Sequence, residues 1–285
     1  MATMRDIRRR IRSVKNTQQI TKAMKMVSAA KLRKAQAALM AARPYADSIH
    51  NVLARVVQKT DETLHPLLER REGSRRAYVV ITADRGLCGG FNANILRKTV
   101  SVIKELGDEA PRIVAVGRKG RDYFRRRNYN MLGEFTGLGE EISFVSARNI
   151  ADTIRELYCN NEVDQVWLIY PHFLNPVSQR LDAIRLLPLD SHTIPQKEAG
   201  LEYVFEPAPE EVLDHLLPRF VNTIVYRALL EAKAGENGAR MAAMDGASKN
   251  ADDMIRRLTL QYNRARQASI TKEISELVAG AEALK

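Results

Sequence analysis

The sequence is poor in cysteine, in aromatic residues and in long apolar runs, and each shortage excludes something. Cys88 and Cys159 are its only cysteines and lie far apart, so neither a disulfide framework nor a cysteine zinc site is suggested, and a reducing compartment fits best. Unbroken apolar runs such as Ala77 to Ile81 and Val166 to Tyr170 fall far short of the roughly 18 residues that a membrane-spanning helix needs. Nowhere does G-x-x-x-x-G-K-[ST] occur, nor the spacing G-x-G-x-x-G, which leaves the common phosphate-binding loops unrepresented. His50, His65, His172, His192 and His215 are scattered without metal-ligand spacing, and no serine, histidine and acid set or carboxylate pair stands out. Neither a catalytic site, a metal site nor a cofactor site is expected.

What is abundant is positive charge, and it is concentrated. Of 285 residues carrying a net charge of +11, the first 43 hold twelve basic side chains and one acid, Asp6, so the remainder of the chain is neutral overall. A partner attracted by charge should therefore meet the N-terminal segment with an acidic surface. An Arg-rich, acid-poor start also fits a mitochondrial transit peptide, but the helical spacing continues without a break past Lys34, which favours mature structure. Nucleic acid is the alternative partner, since such charge releases counterions from phosphates. Against it, no aromatic residue precedes Tyr45 to stack on a base.

The chain divides into three segments, 1–59, 75–195 and 209–285. In the first, Ile7, Ile11, Val14, Gln18, Thr21, Lys25, Ser28, Leu32 and Ala35 recur at alternating steps of four and three, the spacing of a coiled-coil seam that is apolar at its ends and polar in its middle. Ile20, Met24 and Val27 form a second stripe on a neighbouring face, available to something other than the seam partner. In the last segment Met241, Met244, Ser248, Ala251, Ile255, Leu258, Tyr262, Ala265 and Ser269 repeat the pattern. A helix over that whole segment would be on the order of 115 Å long, more than a compact domain can bury, so it needs a partner along its length. Gly235, Gly238 and Gly246 weaken it locally by about 1 kcal/mol each relative to alanine.

Between the two helices, strands near Ala77 to Thr82, Arg112 to Gly117 and Asp164 to Tyr170 alternate with helices near Asn92 to Leu106, Arg118 to Arg126 and Ser146 to Cys159, the order of a parallel, Rossmann-like α/β sheet. Leu181 to Leu189 is a candidate final strand. The Gly-rich loop from Ala83 to Asn92 reads G-x-x-G-G, a tight turn or a protein contact in preference to a nucleotide cradle. Because the central domain begins and ends at the long helices, these are expected to pair antiparallel, with partners' numbers adding to about 268 and Arg240 near Met24. About twenty residues, 263–285, then project singly with an apolar face.

Certain of these residues are recognisable. The stretch from Ile270 to Ala283 reads I-T-x-E-x-x-E-x-x-x-G-A-x-A, and this pattern, with IRRRIRSVKNTQQITKAMKMVSAAKLRKAQ near the start and DRGLCGGFN in the middle, resembles the gamma subunits of F-type ATP synthases in its bacterial form. The resemblance covers essentially the whole chain. It implies a non-catalytic central-stalk rotor: an antiparallel coiled-coil shaft with the α/β domain at its foot, coupling a proton- or sodium-driven c-ring to the catalytic sites of the alpha and beta subunits. It also implies contacts of Met24, Lys25, Arg240, Arg266, Gln267, Thr271 and Glu273 with beta-subunit loops, the acidic DELSEED loops among them. The tip residues Ile270, Ile274, Leu277, Val278, Ala281 and Leu284 would turn in a hydrophobic sleeve. Epsilon and the c-ring would meet the α/β domain, on the cytoplasmic face of the plasma membrane. The segment between Asp190 and Pro209 is short and lacks cysteine, unlike the regulatory dithiol insertion of chloroplast relatives.

Overall fold

A computed structural model describes residues 3–58, 65–71, 73–176, 178–189 and 209–283. The chain forms two compact units, one of residues 1–27 with 241–285 and one of residues 28–240. The boundaries fall inside the long helices α1 (Met4–Gln58) and α5 (Pro209–Ala283), so each helix contributes to both units. No described helix is long and apolar enough to cross a membrane.

The larger unit is built on a five-stranded sheet. In chain order it contains β1 (Arg76–Ile81), α2 (Phe91–Glu105), β2 (Arg112–Val116), α3 (Arg118–Arg125), β3 (Asn130–Phe135), α4 (Phe144–Cys159), β4 (Gln165–Phe173) and β5 (Gln179–Leu187). The strands lie in the order β3-β2-β1-β4-β5. The first four are mutually parallel, as helical crossovers require. The candidate final strand is present as β5, which runs antiparallel to β4 because only a short turn joins them, where Asn175 and Ser178 exchange hydrogen bonds.

Both faces of the sheet are covered, and β1 shows how. Its Ala77, Val79 and Ile81 point into one core with Ile150 and Ile154 of α4 and Leu217 and Val221 of α5, while Tyr78 and Val80 point into another with Ile95, Ile103 and Phe124. A strand buried on both sides reads as a continuous apolar run, which is why this one is plain in the sequence. Ser143 caps α4 by accepting a hydrogen bond from the Ser146 N–H at 3.1 Å. β3 was not expected. It is an edge strand, only half-buried, and holds Asn130 and Gly133 where a β-rich run would be the signal.

In the smaller unit the two helical repeats form a seam on the face expected for each. Ile7, Thr21, Met244, Ser248 and Ala251 are buried there, and the remaining repeat positions are half-buried, except that Lys25 is exposed. Ile20 and Val27 of the second stripe are 59% and 53% exposed.

Candidate functional site

The polar middle of the seam is a ladder of specific pairs. The buried hydroxyls of Thr21 and Ser248 lie 2.7 Å apart, and Thr21 also donates to the Gln18 carbonyl at 3.0 Å, which makes Ser248 the donor between the two. Gln18 donates from Nε2 to Asp252 at 3.2 Å. Further along, Arg8 donates to the Tyr262 hydroxyl at 2.8 Å. Lys25 reaches Asp245 at 2.5 Å and Lys249 reaches the other oxygen of the same carboxylate at 2.9 Å. These two ammonium groups hold the Asp245 carboxyl down at about 2.

The register corrects the one expected. Lys25 faces Asp245, so the partners' numbers add to two more than anticipated, and Gly246 is the residue level with Met24. Arg240 belongs to the larger unit, where its guanidinium donates to the Gly86 carbonyl at 3.2 Å and to Glu236 at 2.7 Å. Met24 is half-buried.

Toward the C-terminus the seam runs out and α5 is bare. Arg266, Gln267, Thr271 and Glu273 are all exposed, with the Thr271 hydroxyl donating back to the Gln267 carbonyl at 2.9 Å and Glu273 accepting from Ser269. Ile270, Ile274, Leu277 and Val278 are 47%, 56%, 75% and 57% exposed. Four large apolar side chains left open on consecutive turns of one helix mark a surface that something else covers. The Ala281 side chain and Leu284 lie outside the described residues.

In the larger unit the natural ligand position of such a sheet is the crevice beyond the carboxyl ends of its strands. Here Leu229, Ala232, Lys233 and Glu236 of α5 lie across it with Thr82 and Gly117, leaving a cavity of about 40 Å³. That is room for a few waters and far below the roughly 300 Å³ or more of a typical ligand pocket. The polar groups of the Gly-rich loop are already engaged. Asp84 accepts from the backbone N–H of Arg118 at 2.9 Å and of Gly137 at 3.0 Å, and Asn92 accepts from Ala83 at 2.9 Å. Cys88 is buried beside Asn92, and burial pushes its thiol up, away from the reactive thiolate. These bonds brace the loop as a turn against the strand ends and α3. Among the described residues no three histidines, cysteines or acids gather as a metal site would require.

The sequence reading missed the residues of α5 that hold it in this crevice. Glu231 is 2% exposed and receives His172 Nδ1 at 2.5 Å, the Phe173 N–H at 3.2 Å and Arg227 Nε at 2.9 Å. Lys233 donates to the Gly139 carbonyl at 2.9 Å and lies 3.8 Å from Glu140, which also pairs with Lys31 of α1 at 2.6 Å. The available signal was a charged residue, Glu231, set among Ala228, Leu229, Leu230 and Ala232.

Comparison with known proteins places these features. A family model described as ATP synthase matches residues 3–284. The chain is 56% identical to the ATP synthase gamma chain of Desulforamulus reducens over the whole of both chains, and 52% identical to that of Moorella thermoacetica over the same extent. Among solved structures, a chain of the Tetrahymena thermophila mitochondrial ATP synthase central stalk and c-ring matches with a TM-score of 0.61 at 28% identity, covering 80% of this chain and 99% of that one. A chain of the Euglena gracilis mitochondrial ATP synthase matches with a TM-score of 0.69 over 99% of this chain and 94% of its own. At 21% identity, that last likeness speaks for the fold.

Proposed function

We infer the function from a premise: the chain belongs to the gamma-chain family of ATP synthases. On that premise it is the rotor subunit of the central stalk, coupling rotation of an ion-driven c-ring to synthesis or hydrolysis of ATP in a surrounding ring of alpha and beta subunits. It performs no chemistry itself. Its contribution is mechanical: a turning shaft of uneven surface touches each catalytic subunit differently in turn, and differential contact is what shifts a site between states of high and low nucleotide affinity.

The observation that carries this reading is the bare end of α5, where Ile270, Ile274, Leu277 and Val278 are open. A rotating tip needs contacts that are attractive but not directional, and apolar contact meets both needs, since its strength follows area and is indifferent to angle. The concentration of twelve basic residues in the first 43 suits acidic loops on the beta subunits, with Met24 and Lys25 among the contacts and Arg266, Gln267, Thr271 and Glu273 nearer the tip. Arg240 contributes to the same contacts through whatever its internal bonds leave accessible. Epsilon and the c-ring meet the α/β unit, and the complex sits peripherally on the cytoplasmic face of a bacterial plasma membrane. A nucleic-acid role has no observation on its side.

The test is ATP hydrolysis by matched alpha and beta subunits assembled with the full chain or with a chain ending at Tyr262. A stable, fast complex with the full chain and a weakened one with the truncation is the expected result. A chain that neither joins the ring nor alters its turnover would overturn the assignment.

A further inference from the structure

Between residues 231 and 240, α5 is held by hydrogen bonds and by a close backbone approach. Glu231 is fixed by His172, the Phe173 N–H and Arg227. One turn on, Gln179 of β5 donates to the Gly235 carbonyl at 2.7 Å. Gly238 lies so close to the β4–β5 turn that a Cβ on it would fall 2.7 Å from the Pro176 carbonyl oxygen. All three belong to one hairpin. Lys233 is held instead by the Gly139 carbonyl, and Arg240 by that of Gly86.

The positions around the helix give this arrangement its meaning. At about 100° per residue, Glu231, Gly235 and Gly238 fall within roughly 60° of one another, whereas Lys233 and Arg240 fall on the opposite side. Apolar packing alone resists rotation of a helix about its axis weakly, because it depends on area and little on direction. Hydrogen bonds and a backbone contact on two opposite sides resist it as a couple, each side opposing the turn that the other would allow.

We propose that residues 231–240 of α5 are a torque joint, gripped by the β4–β5 hairpin on one side and by Gly86 and Gly139 on the other, so that the sheet and the helix turn as one body. This rests on the rotor reading and adds to it where load crosses between the α/β domain and the shaft helix. Glu231 is the positioning residue at its centre. Its carboxylate gathers a strand side chain, a strand backbone N–H and a helix guanidinium, which ties β4 to α5 in a single buried cluster.

A joint carries torque only under load, and that decides the test. Hydrolysis by the chain with alpha and beta subunits alone is unloaded, whereas ion-driven synthesis by the whole enzyme in membrane vesicles is not. Glu231→Leu is expected to leave unloaded hydrolysis within about twofold and to lower synthesis about tenfold, as loss of a buried, hydrogen-bonded carboxylate warrants. Glu231→Gln, which keeps the shape and one acceptor, should recover part of the difference. Equal effects on both activities, whether none or a parallel fall, overturn the proposal, because they describe a residue of general stability or of none. Failure of the unsubstituted chain to stimulate hydrolysis is a separate result that overturns the rotor reading.

A second variant is independent of how well Glu231→Leu folds. A Cβ on Gly235 would lie 3.0 Å from the side-chain amide carbon of Gln179, which puts the two Cβ atoms within about 5.5 Å, so Gln179→Cys with Gly235→Cys, in a Cys159→Ser background, brings two thiols together across the joint, and the oxidised enzyme is the fraction in which mass spectrometry finds them bonded. Oxidised enzyme that synthesises ATP at least as fast as its own reduced form supports a joint that does not move. An oxidised enzyme that stalls and recovers on reduction shows that helix and sheet slide during turnover, and overturns it.

Discussion

The hydroxyl pair at the middle of the seam offers a perturbation whose size can be worked out. Thr21 and Ser248 are 8% and 7% exposed, and their oxygens lie 2.7 Å apart. Because the Thr21 proton goes to the Gln18 carbonyl, Ser248 must supply the proton between them. Thr21→Val therefore removes the acceptor of a buried donor, whereas Ser248→Ala removes the donor and leaves Thr21 still bonded to its own helix. Each single change should cost about 1 kcal/mol, with Thr21→Val the larger, because a stranded buried donor costs its full desolvation. The double change leaves two apolar groups of similar shape in contact and should cost little more than either single change. The resulting coupling is about 1 kcal/mol, a factor of about five in an opening equilibrium.

Amide hydrogen exchange in peptides covering residues 12–27 and 241–258 reads that equilibrium locally, without requiring the whole chain to unfold in one step. Exchange about fivefold faster in the single variants, and no faster than that in the double, is the expected pattern. Strict addition of the two single effects would refute the reasoning, since it would mean that the hydroxyls do not act as a pair.

Two further outcomes follow from the same geometry. Gly246→Ala meets nothing within 4 Å and should raise thermal stability by about 1 kcal/mol through helix propensity alone; Gly238→Ala makes the same propensity gain but drives its Cβ into the Pro176 carbonyl, so its melting temperature should fall. Asp245 is held at about 2 by Lys25 first and Lys249 second. A carboxyl depressed in the folded state contributes stability that is present above its unfolded value of about 3.9 and is lost as the pH falls through about 2. Carboxyl carbon NMR should find Asp245 still ionised at pH 3, and Lys25→Ala should move its titration back toward the ordinary range.

The seam was legible because coiled-coil spacing is a property of sequence alone: burial follows the repeat in both helices, with Lys25 the exception because its amine leans out to Asp245. The register was legible only to within two residues. It was anchored on helix ends, the least certain points of a helix, whereas the actual register is set by side-chain pairs 220 to 254 residues apart in sequence. Strands buried on both faces were equally plain, and β3 was not, since an edge strand keeps little of that signal. The glycines were misleading in a useful way. Gly235 and Gly238 read as weak points of a helix, yet each admits a close approach that a side chain would block; Gly246, with open space around it, is the only one of the three whose cost is uncompensated.

The same point bears on the Gly-rich loop, which lies where such a fold would hold a phosphate. An open α/β sheet leaves a crevice at its carboxyl edge, and glycines there let a ligand approach the backbone. In this chain α5 occupies the crevice, and what approaches the loop's backbone is Arg240, bonded to the Gly86 carbonyl. The position at which the fold would bind a small molecule has become the socket of a helix. Glu231, Lys233 and Arg240 use the hydrogen-bonding capacity of the surrounding loops as a ligand would, and they do so from a helix that continues unbroken to Ala283. A bound ligand can leave, but a helix joined covalently to the sheet it occupies cannot, and permanence of attachment is what a part that transmits load requires.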